Sequence, residues 1–214
     1  MTAVENILNV AFWVVTLIPA IVLHEVSHGY IAHRMGDHTA KVAGRLTLNP
    51  IKHVDPFGTV ILPGLLLLPR LFGQGGVVFG YAKPVPVNPA NLRRPERQMV
   101  GIALAGPLTN LLLAALGAIA FRVTLPLPGS RLIGFFEIWI TLNVLIAVFN
   151  VMPIPPLDGS KVLAFFLPPR ARDVYRSMEP YGALFMLAIF FLFPGAIFAI
   201  VGPIVQGLIG LLVG

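Results

Sequence analysis

Residues 7–28 read ILNVAFWVVTLIPAIVLHEVSH. The apolar part, Ile7–Leu23, is long enough for a helix to cross the hydrocarbon core of a bilayer, which takes about 20 residues. The last five residues, His24–His28, form the pattern H-E-x-x-H, which on a helix places two imidazoles four positions apart on the same face. The sequence therefore predicts a membrane helix that carries two potential metal ligands at its end.

The composition is that of a membrane protein. Of the 214 residues, 57% are hydrophobic and 11% are charged, whereas a soluble domain carries roughly 25% charged residues. The chain has no cysteine, which excludes disulfides, thiolate ligands and a cysteine nucleophile. The net charge of +6 comes from short basic clusters between apolar stretches. Because these clusters form no single basic face or arm, we predict no nucleic-acid partner.

Five apolar regions divide the chain, at 7–23, 57–82, 98–121, 138–157 and 180–214. The first, third and fourth are long enough to span a membrane. The second is interrupted by Arg70 and continues as GVVFGYAKPVPV, Gly76–Val87, where glycines, β-branched residues and alternating prolines favour extended chain. We interpret this region as a re-entrant loop, because extended backbone at membrane depth must be packed in protein or line a wet cavity.

These features predict an all-α polytopic membrane protein, a bundle of about 4–6 transmembrane helices with a re-entrant β-like loop. We expect one membrane-embedded domain over residues 1–214, with its core at about 5–160. Prolines interrupt residues 180–214, so this segment is predicted to be either one bent membrane helix or a hairpin. No basic residue precedes the first apolar run, which argues against a cleaved signal peptide.

A loop that returns to the side it left gathers most of the 15 basic residues on one side of the membrane. By the positive-inside rule that side is the cytosol, and the N-terminus lies outside. His24–His28 then lie near the cytosolic face.

His24 and His28 can bind one zinc ion, with Glu25 beside it as general base. The alternative interpretation is that these residues are polar anchors at the end of a helix. Three ionisable residues spaced for a metal within one span favour a functional site. A catalytic zinc normally has three protein ligands, so a third side chain is required from elsewhere in the chain.

Depth in the membrane favours Asp158 as the third ligand, since it follows the fourth apolar segment where that segment returns to the cytosolic side. Glu137 begins the same segment at the opposite face. His33 and His38 follow the motif too closely to turn back easily. His53 and Asp55 remain alternatives that a loop would supply.

Four separated motifs occur in this order: HEVSH on a membrane helix, GYAKPVPVNPANLR at 80–93, AGPLTN at 105–110 and FNVMPIPPLDG at 149–159. Together they cover most of the chain, and in this combination the sequence resembles the site-2 protease family of intramembrane metalloproteases. The resemblance is to the short members of that family, which have no appended PDZ or CBS domain.

The resemblance implies an intramembrane zinc metalloendopeptidase with one Zn²⁺ per chain, held by His24, His28 and Asp158, and with Glu25 catalytic. It places Asn150 near the site, where it would position substrate or stabilise the oxyanion; an interhelical hydrogen bond is the alternative role. Gly106, Pro107 and Asn110 match the central-helix motif of the family, and we interpret the small residues of this motif as close packing around the site.

The resemblance also implies transmembrane protein substrates, regulated intramembrane proteolysis and a multi-pass location in a prokaryotic cell membrane. Two other functions are compatible with the sequence: a catalytically silent membrane scaffold or chaperone, and a metal-dependent transporter. The intact Glu25 argues against the first of these. The lack of an internal repeat argues against the second.

Overall fold

All regular elements in the computed structural model are helical, and the model describes residues 3–61, 82–124, 130–193 and 195–214. The α-helices are α1 (Ala3–Arg34), α2 (Thr39–Val42), α3 (Pro95–Thr124), α4 (Arg131–Val151), α5 (Asp158–Phe166), α6 (Pro169–Arg176), α7 (Gly182–Leu192) and α8 (Ala196–Val213). Short 3₁₀ turns occupy Pro50–His53, Pro89–Asn91 and Glu179–Tyr181, and a π-helical turn occupies Pro56–Ile61. The predicted all-α class is confirmed.

Within the part of the chain that the structure describes, three helices are long and apolar enough to cross a membrane: Ala11–Arg34 within α1, α3 and α4. A shorter apolar stretch, Ile197–Val213, lies in α8. The total of about 4–6 spans stays a prediction. Prolines 19 and 107 lie inside α1 and α3, which membrane helices tolerate when neighbouring groups satisfy the freed backbone.

The central helix α3 runs antiparallel to α1. The His28 ring bonds to the carbonyl of Ile102 at 2.7 Å, and the Asn110 amide donates to the carbonyl of Ala20 at 3.1 Å. Residue numbers therefore rise along α3 as they fall along α1, which fixes the relative direction of the two helices.

Helix α3 is also antiparallel to α4. Trp139 Nε1 donates to the carbonyl of Leu113 at 2.8 Å, and Asn110 Nδ2 donates to Asn143 Oδ1 at 3.0 Å. The indole fits because Gly117 has no side chain: a Cβ there would lie 2.4 Å from Trp139 Cδ1. The small residue thus sets how closely α3 and α4 approach.

The C-terminal region consists of two helices, α7 and α8, on either side of residues 193–195. Buried Met186 of α7 and Val201 of α8 join Ile140 and Val144 of α4 in the main apolar cluster. The described residues of this region thus form two separate helices, and the choice between a bent membrane helix and a hairpin stays a prediction.

The chain between α1 and α3 starts and returns at the same end of the bundle. Asp37, just after α1, accepts hydrogen bonds from the Asn88 backbone and the Asn91 side chain at 2.7 and 2.8 Å. Burial alone would raise the pKa of Asp37, but these bonds and those from Thr39 hold that pKa below its ordinary value. The Arg172–Glu96 ion pair ties α6 to the same end.

Most of the predicted re-entrant loop lies outside the described residues, which do not include residues 62–81. The described end of the segment that is predicted to be extended, 82–87, has no regular secondary structure. The re-entrant, β-like character of the loop therefore stays a prediction.

The topology can be tested by cysteine labelling, since the natural chain has no cysteine to give background. Lys41→Cys, Arg94→Cys and Arg170→Cys should all react with a membrane-impermeant thiol reagent from the cytosolic side. Arg131→Cys, at the start of α4, should react only from the opposite side. Labelling of Arg94→Cys and Lys41→Cys from different sides would contradict a loop that returns to the side it left.

Candidate metal centre

The structure brings His24, His28 and Asp158 together. Their ligand atoms lie within 4.8 Å of one another, and their exposed fractions are only 5%, 8% and 8%. The Nε2 atoms of His24 and His28 are each 3.1 Å from the same carboxylate oxygen, Oδ2 of Asp158. The two histidines are one turn apart on α1, as the H-E-x-x-H spacing predicts.

Asp158 reaches this position by a route that differs from the predicted one. Helix α4 ends at Val151, and the proline-rich turn 152–157 follows before Asp158 begins α5. Prolines 153, 155 and 156 explain the break, because proline lacks the amide that a continuing helix requires. The carboxylate therefore comes from a new helix start and not from the end of a spanning segment.

The outer nitrogen of each histidine is held by an oxygen acceptor. His24 Nδ1 lies 2.6 Å from Asn110 Oδ1, and His28 Nδ1 lies 2.7 Å from the carbonyl oxygen of Ile102. Since the Asn110 amide nitrogen donates to Ala20 and Asn143, its oxygen is the atom that faces His24. Each Nδ1 thus carries a proton, and in a neutral imidazole each Nε2 presents a lone pair.

Two lone pairs and a carboxylate oxygen that converge in a buried site repel one another unless a cation lies among them. The set of two imidazole nitrogens and one carboxylate oxygen is a donor set of catalytic zinc, which keeps a further position open. Space for an ion depends on Gly106, because a Cβ at that position would lie 2.5 Å from both Nε2 atoms. The residues present therefore fit a zinc ion.

The second oxygen of Asp158 is paired with a cation. Lys161 Nζ lies 3.3 Å from Asp158 Oδ1, one turn along α5. Burial alone would raise the pKa of Asp158, but the histidines, which hydrogen-bond it when protonated, and the Lys161 ammonium hold that pKa well below its usual range. The carboxylate is thus kept in the charged form that a metal ligand needs.

Glu25 follows His24 on α1 and is half-buried. Its Oε2 accepts a hydrogen bond of 2.9 Å from the backbone N–H of Val85. Glu25 is therefore not one of the clustered ligands, although it follows the ligand His24 directly in the sequence, and this suits a base more than a ligand.

The structure does not join Asn150 to the cluster. Its side chain donates to the carbonyl of Ile146, one turn back in α4, at 3.0 Å. Among the described residues it forms no hydrogen bond with the three predicted ligands or Glu25. A role in oxyanion or substrate positioning stays a prediction.

The other ligand candidates lie apart from the cluster, which among the described residues contains only the three predicted ligands. His53 bonds through Nε2 to the carbonyl of Thr47, and Asp55 accepts from backbone amides of its own turn. His33 and His38 bond to each other at the end of α1.

Two polar contributions were not deduced from the sequence. Asn110 is predicted only as part of the central-helix motif, yet it orients His24. Asn143 is absent from the predicted site, yet it accepts a hydrogen bond from Asn110. Both are fully buried in helices that could span the membrane. A polar residue inside a predicted span is a functional candidate by default, and that signal was available for both.

Comparisons with known proteins indicate a family of zinc metalloproteases. Residues 118–193, which include Asp158, match the model of Peptidase family M50. The chain is 39% identical over 187 residues to the Bacillus subtilis protein named "Putative zinc metalloprotease YwhC", covering 84% of this chain and 80% of that protein. No solved structure matches.

Two mycobacterial proteins, both named "Putative zinc metalloprotease Rip2", are also similar. Identity is 31% over 190 residues for the Mycolicibacterium smegmatis protein and 30% over 184 residues for that of Mycobacterium tuberculosis. The match covers 86% of this chain and 66% of each relative, so the chain spans just under two thirds of the length of these proteins.

Removal of one ligand should release the metal. We predict about one zinc per chain in the purified protein, and a loss of most of it in Asp158→Ala, because two histidines alone leave the site open. Elemental analysis with His53→Ala as the control gives the comparison. Loss of zinc in His53→Ala with retention in Asp158→Ala would place the metal at the loop instead.

Gly106→Ala should also reduce zinc content, because the added methyl would lie 2.5 Å from both Nε2 atoms. The matched control is Gly101→Ala on the same helix, where the added Cβ meets only the flexible end of Met35 at 3.2 Å. Equal zinc in the two variants would show that α3 does not limit the space for the ion.

Proposed function

Because the chain belongs to peptidase family M50, the site-2 protease family of zinc metalloproteases, we propose that it is an intramembrane zinc metalloendopeptidase. The substrates we propose are transmembrane proteins that are cut in regulated intramembrane proteolysis. The observation that carries the proposal is the buried convergence of His24, His28 and Asp158, with Glu25 one residue from a ligand.

The proposed chemistry divides between the metal and the protein. A zinc ion bound by the three ligands would polarise the scissile carbonyl and lower the pKa of an attacking water. Glu25 takes a proton from that water and passes it to the leaving amine. Asn110 and the Ile102 carbonyl keep the two imidazoles in the tautomer and orientation that ligation needs.

The proposed location follows from the apolar helices and the charge distribution. We infer a multi-pass protein of a prokaryotic cell membrane, with the N-terminus outside and the site near the cytosolic side. The relatives from Bacillus subtilis, Mycolicibacterium smegmatis and Mycobacterium tuberculosis are all bacterial proteins. A site at this depth is close enough to the cytosol for water to enter.

A transmembrane substrate must unfold locally before it can be cut, because the carbonyls of a helix are engaged in hydrogen bonds. We propose that the segment Gly76–Val87 holds the substrate in extended form by adding it as a strand. The described part of this segment passes Glu25 at Val85, which supports a location beside the reacting bond.

Glu25→Gln separates a protease from a transporter or scaffold that merely binds metal. Glutamine keeps the size of the side chain but cannot accept the proton, and a positioned base is worth roughly 10² to 10⁴ in rate. We expect zinc to stay and cleavage of a single-span substrate to fall by about that factor.

The matched control is Glu137→Gln, the same chemical change at the far end of α4, which should cleave at the wild-type rate. Wild-type cleavage by Glu25→Gln would refute the assigned base even if the metal ligands are correct.

A further inference from the structure

The chain from Lys83 to Asn88, here called the proline segment, is held at both of its ends by residues that follow α1 in the chain. At the first end, Lys83 N donates to the carbonyl of His53 at 2.9 Å, and the buried Arg45 side chain donates to the carbonyl of Lys83. At the other end, Asn88 N donates to buried Asp37 at 2.7 Å. The segment between these anchors is therefore fixed in place.

Between the anchors, Val85 carries the one backbone donor that lies between Pro84 and Pro86, since proline has no N–H. This N–H donates to Oε2 of Glu25 at 2.9 Å. Among the described residues it is the one hydrogen bond that the Glu25 side chain makes. The Pro-Val-Pro sequence thus presents a single amide to the residue proposed as base.

The side chain of Val85 explains how its N–H comes so close to α1. Val85 is 8% exposed and packs over Gly29, one residue past the H-E-x-x-H motif. A Cβ at Gly29 would lie 2.8 Å from Val85 Cγ1 and 2.7 Å from Leu46 Cδ2. A larger residue at Gly29 would therefore push the proline segment away from Glu25.

We propose that the backbone N–H of Val85 is a positioning group for Glu25. The N–H holds Oε2 and stops rotation of the carboxylate, so that Oε1 is the oxygen left to exchange the proton. The inference rests on the proposed function, because only a base needs this precision. A general base must lie within about 2.6–3.2 Å of the proton it takes, and a misplacement of about 1 Å can cost on the order of 10²-fold in rate.

The direct test replaces Val85 by the corresponding α-hydroxy acid, which exchanges the backbone N–H for an ester oxygen and keeps the side chain. Since a hydrogen bond to a charged group is lost, we expect kcat to fall about 10-fold or more. KM should stay within about 2-fold and zinc content should be unchanged, because neither substrate contacts nor ligands are altered.

The matched control is the same ester change at Asn88, whose N–H is bonded to Asp37 and not to Glu25. This variant should lower the melting temperature and reduce kcat clearly less than the Val85 ester does, since it loses an anchor and no contact to the base. An equal fall in kcat for the Val85 and Asn88 esters, or no fall for the Val85 ester, would overturn the proposal.

A second measurement is independent of activity. In the ¹⁵N-labelled protein, Glu25→Ala should raise the hydrogen-exchange rate of the Val85 amide about 10-fold or more, because the acceptor is gone. The Asn88 amide should not change, and Asp37→Ala should show the reverse pattern. An unchanged Val85 amide in Glu25→Ala would overturn the contact.

The two measurements also keep this inference apart from the proposed function. If the wild-type protein cleaves no substrate, the proposed protease function is refuted. The exchange rates still show whether the Val85 amide is hydrogen-bonded to Glu25. Normal cleavage by the Val85 ester in an active protease refutes the positioning role alone.

Discussion

The structure depends on one constraint: two imidazoles and a carboxylate are buried among apolar helices, and each of their polar atoms needs a hydrogen-bonding, ionic or metal partner. A buried polar group without a partner costs several kcal/mol in an apolar medium, of order 2–7. Here the outer nitrogens of both histidines and the outer oxygen of Asp158 have protein partners. The inner atoms face one another, and a cation is the partner that all three can share.

The residues of α3 that contact α1 are spaced along their helix at the same interval as their partners on α1. Ala20, His24 and His28 recur every four residues on α1, and the antiparallel α3 offers Asn110, Gly106 and Ile102 at the same interval. Positions four apart share a helix face, so the two rows meet along one seam. Within that seam, Asn110 orients one histidine, the Ile102 carbonyl orients the other, and Gly106 leaves the space between them.

Local rules were enough to predict part of this arrangement. The spacing of His24 and His28 follows from the geometry of a single helix, and the apolar lengths of α1, α3 and α4 follow from the thickness of a bilayer. Depth in the membrane predicts Asp158 as a candidate ligand, but it does not predict the proline-rich turn that precedes this residue. The family implied by the motifs is confirmed by the relatives.

The roles of Asn110, Asn143 and Val85 depend on which helix faces which, and no local pattern contains that information. Asn110 sits in a motif of small residues and looks like packing until α1 is placed beside it. The backbone N–H of Val85 has no sequence signature other than the two flanking prolines. Such contacts link distant residues, 86 positions apart for Asn110 with His24 and 60 for Val85 with Glu25.

The central claim is that this buried site cuts peptide bonds with a bound metal. The most direct measurement incubates the purified protein with single-span membrane peptides, with and without a zinc chelator, and identifies new termini by mass spectrometry. We predict termini inside the apolar span of the peptide, lost after chelation and recovered when zinc is returned. Cleavage that persists in metal-depleted protein, or that occurs only outside the apolar span, would contradict the claim.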